Sequence, residues 1–240
     1  MPLLTIVIPA RQEEKAIGET VRSVHGALTM PHEIIVSDDG STDATAARAA
    51  EAGARVVTYS GDKHTPGRTR NAGGREARGE FIAFIDADVR MPAPEDFFGR
   101  ALRHFENSAV VGVCGPQRAN PDIETWADRI SFGILNTGLR FQNNVLHHGE
   151  ASGKIMVVRK SAFDAVGGLR EDIATREDGD FFARLSKIGR TVFDPSLMVF
   201  HGARRAHKVG WAKLWWIWLS NTVYFAFFNR TIADDWTPVR

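Results

Sequence analysis

One cysteine stands among 240 residues. Cys114 lies in the run Val110-Val111-Gly112-Val113-Cys114 and reads as a small core side chain, so an intrachain disulfide is excluded and a reducing compartment is expected. Excess charge is missing too. Lys and Arg total 30 against 29 Asp and Glu, a net charge of +1, which excludes a strongly basic nucleic-acid binder. The 25% of charged residues also argues against a disordered chain. No internal repeat or low-complexity linker is visible. No charged and apolar leader precedes the strand-like run that begins at Leu3, so a cytoplasmic protein is expected. What is present is 43% apolar residues, enough for the core of one large domain or two small ones.

The sharpest local feature is Phe84-Ile85-Asp86-Ala87-Asp88. Phe81, Ile82, Phe84 and Ile85 form the nearly continuous apolar run of a strand covered on both faces, so the aspartates should emerge where the sheet stops. In open α/β sheets that edge is where ligands bind. Carboxylate oxygens suit Mg2+ or Mn2+, and Mg2+ takes one or two carboxylates and completes its shell with water and substrate phosphates. The pair thus points to a nucleotide-phosphate substrate. The same Asp-x-Asp spacing also closes plain turns, where the carboxylates accept backbone N–H groups.

Apolar periodicity predicts strands over 3–8 (closed by Pro9), 33–37, 55–59, 80–85 and 109–114, alternating with helices over 17–28, 43–52, 67–78 and 94–105. Repeated β-α-β with short links implies a mostly parallel sheet flanked by helices. Residues 120–149 lack a clean period and read as helices with a long loop. Beyond them come a strand over 154–159, helices over 160–166 and 177–188, and short strands over 191–193 and 197–200; Phe181, Phe182, Leu185 and Ile188 gather on one helical face.

Five further segments accompany the aspartate pair: Ile6-Val7-Ile8-Pro9-Ala10-Arg11-Gln12-Glu13-Glu14, Ile34-Ile35-Val36-Ser37-Asp38-Asp39-Gly40-Ser41-Thr42-Asp43, Gly67-Arg68-Thr69-Arg70-Asn71-Ala72-Gly73, Gly167-Gly168-Leu169 and Glu177-Asp178-Gly179-Asp180. In this order and spacing, from Leu4 to His201, they resemble the family 2 glycosyltransferases. The resemblance implies an α/β GT-A fold, Rossmann-like, and an inverting transfer from a nucleoside-diphosphate sugar to a hydroxyl, with Mn2+ or Mg2+ as cofactor. It implies nucleotide-sugar contacts at Pro9, Ala10, Arg11, Glu13, Asp38, Asp39, Arg70, Asp86, Ala87 and Asp88. The metal would be held by Asp88 and Asp86, with His201 completing its shell. Asp178 would be the catalytic base, with Glu177 and Gly153 on the acceptor side. Each residue also has a plainer reading: Asp39 or Ser41 capping the next helix, Arg70 a solvated charge, His201 a structural imidazole, Glu177 and Asp178 complementing a helix N-terminus. The chain departs from many relatives at Arg11 and Gln12, where an aromatic residue and Asn are common, so base stacking by that side chain is lost. The Gln-x-x-Arg-Trp signature of processive synthases is absent, which favours single additions.

The expected organisation is a transferase domain over 1–203, its nucleotide-binding half about 1–115 and its acceptor half about 116–203, followed by a basic, aromatic-rich helical segment over 204–240. Trp211, Trp215, Trp216, Trp218, Tyr224, Phe225, Phe227 and Phe228 follow the basic run Arg204-Arg205-Ala206-His207-Lys208. Three readings stand: attachment to the inner face of the cell membrane, with Arg204, Arg205, Lys208 and Lys213 meeting anionic lipid; burial against the domain or a partner subunit in a homodimer; and a membrane span, which Lys213, Ser220, Asn221 and Thr222 weaken. A cell-envelope saccharide or lipid-linked carrier is the expected acceptor, and a polyprenyl-phosphate glycosyltransferase a close variant. A nucleotidyltransferase would carry a glycine-rich loop where Pro9 to Glu13 stand. A non-catalytic nucleotide-sugar-binding scaffold would have no need to keep Asp86, Asp88 and Asp178 together. The segment 201–209 suits a phosphate-contacting lid.

Overall fold

The computed structural model describes residues 3–59, 61 and 64–232. The last eight residues of the expected C-terminal segment, 233–240, lie outside that range. Five strands alternate with helices in the first half: β1 (Leu4–Ala10), α1 (Ile17–His25), β2 (His32–Asp38), α2 (Thr45–Glu51), β3 (Arg55–Thr58), α3 (Pro66–Arg75), β4 (Phe81–Ile85), α4 (Pro94–Arg103) and β5 (Val110–Cys114). The second half adds β6 (Gln117–Ala119), α5 (Trp126–Asn144), β7 (Ile155–Arg159), α6 (Lys160–Ala165), α7 (Glu177–Leu185), β8 (Arg190–Phe193), β9 (Val199–His201), α8 (Arg204–Val209) and α9 (Trp211–Phe228).

Seven strands form one sheet in the order β3-β2-β1-β4-β7-β5-β8, while β6 and β9 pair apart from it. All contacts in the large sheet are parallel except those of β7, which runs antiparallel to both β4 and β5. The α/β architecture expected from the alternation is thus the one observed. Ile6 and Ile8 pack with Phe97 and Phe98 on one face, and Val7 packs with Phe84, Phe181 and Phe182 on the other. Side chains alternate across a strand, so this split requires helices on both faces.

Four departures from the sequence reading stand out. β1 passes through Pro9 to Ala10, because its pairing with β4 ends at Val7 and the missing Pro9 donor costs no bond on that side. The irregular stretch 120–149 contains a single 19-residue helix, α5, opened by a reciprocal capping box between Thr125 and Asp128. Its period was invisible because its inward face holds Asp128, Ser131 and Asn143 beside Phe132 and Leu139, while Trp126, Ile134 and Phe141 face outward. α7 stops at Leu185, and Ile188, expected on its core face, is exposed in the turn into β8. Finally, no helix among the described residues is long and apolar enough to cross a membrane, which removes the spanning reading of α9.

Candidate active site

The C-terminal ends of β1, β2 and β4 lie side by side, with Ala10 paired to Asp38 and Val7 to Phe84. Parallel strands that end together leave their following loops on one edge, and a cleft of about 770 Å³ opens there. Because β7 is reversed, its beginning reaches the same edge: Ile85 pairs with Ile155, so Gly153 and Lys154 stand against Asp86 and Asp88. The N-terminus of α7 closes the site from the other side, carrying Glu177 and Asp178.

At the β2 end, Asp39 lines the cleft, with Nδ1 of His64 3.0 Å from one oxygen and Nε of Arg11 4.0 Å from the other. Asp38 lies behind it, nearly buried, with one oxygen accepting the Ser41 N–H at 3.2 Å and the other buried without a partner. The turn needs Gly40 at φ 66°. The capping reading of Asp39 and Ser41 does not hold here. Asp43 accepts the Thr45 N–H at the start of α2, while Ser41 Oγ accepts the N–H of Gln12 at 2.8 Å. Gln12 itself has φ 57°, and its side chain accepts from the Thr42 N–H, so it shapes the loop instead of facing ligand. Pro9, Ala10, Arg11, Glu13 and Ala87 all lie on the cleft wall.

Arg70 is no solvated charge. It is 4% exposed, donating from Nη1 to Glu177 Oε1 at 2.7 Å and from Nη2 to Asp86 Oδ1 at 2.8 Å and the Gly153 carbonyl at 3.3 Å. Burial works against its charge, but Asp86 and Glu177 outweigh that and raise its pKa. Glu177 is pushed upward by burial and by neighbouring Asp178, against the pull of Arg70. Its Oε1 accepts from Arg70 and orients the guanidinium. Asp178 accepts the Gly153 N–H at 2.6 Å through Oδ2 and its neighbour Gly179 N–H at 2.8 Å through Oδ1, two bonds that fix the plane of the carboxylate in the cleft. Gly153 has no space for a Cβ, which would meet Arg70 Nη2 at 2.4 Å.

The acidic pair holds a cation of the chain's own. Lys154 Nζ lies 2.8 Å from Asp86 Oδ2 and 3.3 Å from Asp88 Oδ1. Burial opposes the charge on each carboxylate, yet Lys154, with Arg70 on Asp86 and Arg204 on Asp88, holds both pKa values below the usual range. A pair that already bridges an ammonium has the donor chemistry for a divalent ion, and the expected Mn2+ or Mg2+ fits Asp86 and Asp88. His201 does not complete a third position. Among the described residues no group of three His, Cys, Asp or Glu side chains is gathered to hold a metal. His201 Nδ1 accepts the Ala203 N–H at 3.1 Å, which puts the proton of the neutral ring on Nε2, where a metal would need a lone pair. Burial, then Lys154, lowers its pKa to about 3, so the ring is neutral. Its Nε2 is buried without a partner.

Four site residues escaped the sequence reading. Lys154 follows Gly153 in no recognisable pattern and is found only through the reversed β7. Arg204, expected at lipid, instead turns inward at the start of α8 and bonds Glu13 Oε1 at 2.8 Å and Asp88 Oδ2 at 3.2 Å. Glu150 lines the cleft beside Arg176, 3.4 Å away, and burial raises its pKa to about 7. Asp128 is fully buried and accepts from His207 Nε2 and Trp211 Nε1, both at 2.8 Å, tying α5 to α8 and α9. The spacing Thr125-x-x-Asp128 was the available signal for it.

The opposite wall of the cleft is apolar. Leu135, Gly138 and Leu139 of α5 face Leu214, Trp215 and Trp218 of α9 across it. On its other side α9 exposes Trp216 (69%), Val223 and Phe227 (79%), whereas its buried residues are Leu214 and Asn221.

The family model "Glycosyl transferase family 2" matches residues 5–167. The succinoglycan biosynthesis protein ExoA of Rhizobium meliloti is 28% identical over 224 residues, covering 86% of this chain and 65% of that protein, so the chain spans less than two thirds of it. Among solved structures, the mannosyltransferase PcManGT from Pyrobaculum calidifontis, in complex with GDP-Man and Mn2+, superposes with a TM-score of 0.71 at 19% identity, covering 94% of this chain and 64% of that one. Glucosyl-3-phosphoglycerate synthase from Mycobacterium tuberculosis, in complex with Mn2+, UDP and glucosyl-3-phosphoglycerate, gives 0.60 at 22% identity, covering 87% and 75%. Both are likenesses of fold.

Proposed function

The chain belongs to glycosyl transferase family 2, and from that premise we propose that it moves a sugar from a nucleoside diphosphate to a hydroxyl of a lipid-linked or envelope saccharide, with inversion. The observation that carries this reading is one cleft on which Asp39, the Asp86–Asp88 pair and Asp178 stand on the charged wall, with an apolar wall opposite.

Asp39 and the orphan oxygen of Asp38 would take hydrogen-bond donors of the base and ribose. Asp86 and Asp88 would hold a divalent ion that, when bound, stabilises the departing diphosphate. Arg204 and Arg70 supply fixed positive charge beside the same anion. Asp178, its plane set by Gly153 and Gly179, accepts the acceptor's hydroxyl proton as the new C–O bond forms and the bond to diphosphate breaks. Glu177 holds Arg70 in place.

The apolar wall suits a lipid-linked acceptor, and the outward rings of α9, with Ile130 and Ile134 of α5, suit attachment to a membrane surface. A thermal-shift screen of UDP-, GDP- and dTDP-sugars, with and without Mn2+, tests the donor half. One nucleotide should give a metal-dependent shift that Asp88→Ala abolishes; no shift with any of them would overturn the reading.

A further inference from the structure

Seven charged side chains run in one line through the cleft: Glu13, Arg204, Asp88, Lys154, Asp86, Arg70 and Glu177, each paired with the next. The three cations in it are held differently. Arg70 is clamped between Asp86 and Glu177 and also bonds a backbone carbonyl. Arg204 keeps two bonds to Glu13 whether or not it touches Asp88. The Lys154 ammonium bonds Asp86 and Asp88, the two carboxylates that the proposed function gives to the metal. Its side chain is 22% exposed on a four-carbon stem, so it can leave the pair without moving the backbone.

We propose that Lys154 is a resident counter-ion that couples metal binding to diphosphate binding, an inference that rests on the metal role of Asp86 and Asp88. A divalent ion bridging the pair cannot share it with an ammonium, since like charges at hydrogen-bond range repel strongly in a partly buried site. Entry of metal therefore expels Lys154. The expelled ammonium remains in a cleft where an unpaired charge is costly, and a diphosphate bound beside the metal supplies the anion that receives it. Metal alone meets an occupied pair, and diphosphate alone meets a lysine already paired. Together each removes the obstacle to the other, and by linkage the enhancement is mutual. Lys154 is in this sense a positioning residue for the donor.

Equilibrium dialysis of Mn2+, with the free ion counted by its electron paramagnetic resonance signal, tests this on the full chain, on Lys154→Met and on Lys154→Gln, each alone, with UDP and with GDP. Asp88→Asn serves as the metal-site control, and melting curves show which variants are folded. The natural chain should bind Mn2+ about tenfold or more tightly with one of the diphosphates than without. Both lysine variants should bind Mn2+ alone about tenfold more tightly than the natural chain and lose most of the enhancement by diphosphate. Lys154→Arg, which keeps the charge, should restore the coupling. Binding that depends on Asp88 but is the same in the lysine variants overturns the role of Lys154 and leaves the metal site standing. Binding that ignores Asp88 in every protein overturns the metal site, and the inference with it.

Discussion

The two walls of the cleft are built on opposite principles. The sheet-edge wall consists of charges, mostly buried and mutually paired, standing at the end of β4, whose own side chains are all buried. The helical wall of α5 and α9 is apolar, yet it leaves Trp216, Phe227 and Phe228 in solvent while directing Asn221 and Asp128 inward. Apolar content alone therefore does not decide burial. Phe81–Ile85 is covered because the sheet has helices on both faces, whereas α9 has a neighbour on one side only and more large rings than that side can take. Charge sits at the edge of the enclosed sheet, and exposed apolar surface sits on a helix covered on one side.

The sharpest way to divide the walls is Asp178→Asn. Turnover should fall by about 10²–10⁴-fold, with donor affinity by calorimetry and vesicle binding unchanged. Turnover within a few-fold of the natural chain would remove Asp178 from the mechanism. The complementary change is Trp216→Ser with Phe227→Ser. Burying each ring in an interface is worth up to about 1.5–3 kcal/mol, so partition onto anionic vesicles should fall by up to about 10²- to 10⁴-fold for the pair while donor binding is retained. A natural chain that never floats would break the comparison at its root. Asp128→Ala strikes the tie that holds the helical wall together: it strands the donors of Thr125, His207 and Trp211, and should cost about 1–3 kcal/mol in urea unfolding.

The smallest effect is a pH slope. Glu150 has its pKa raised from 4.5 to about 7 by burial, so between those values the folded state binds more protons than the unfolded one. Its contribution to stability is full below pH 4.5 and is lost as pH rises through 7, at no more than about 1.4 kcal/mol per unit. Glu150→Gln should flatten that slope in part, leaving the share of Glu177, which shifts in the same direction. An unchanged slope would show that Glu150 meets water freely.

Local pattern made the first half of the molecule legible. Each strand from β1 to β5 is an apolar run bounded by polar turns, and the topology follows once β-α-β units repeat. Asp86 and Asp88 stood out because they end an apolar strand run, whereas Asp178 was named only through the resemblance to family 2 glycosyltransferases. Lys154 was not legible, since its meaning depends on the direction of β7, a property of pairing and not of any one segment. Arg204 looked like its basic neighbours, and the turn at Ala203, with φ 48°, sends it inward, while Arg205 also lines the cleft and His207 reaches Asp128. α5 concealed its length because the face it buries is half polar.

The reversal of β7 has a further consequence for how this edge can vary. Strand residues rise by about 3.3 Å each, and one register, Ile85 against Ile155, sets the distance between the acidic pair and the lysine that bridges it. A slip of two residues would keep each side chain of the strand on its own face of the sheet, yet carry Lys154 about 6–7 Å away from both carboxylates. The fold would survive such an error and the ion chain would not. The short stretches from Ile85 to Asp88 and from Gly153 to Ile155 should thus keep their length.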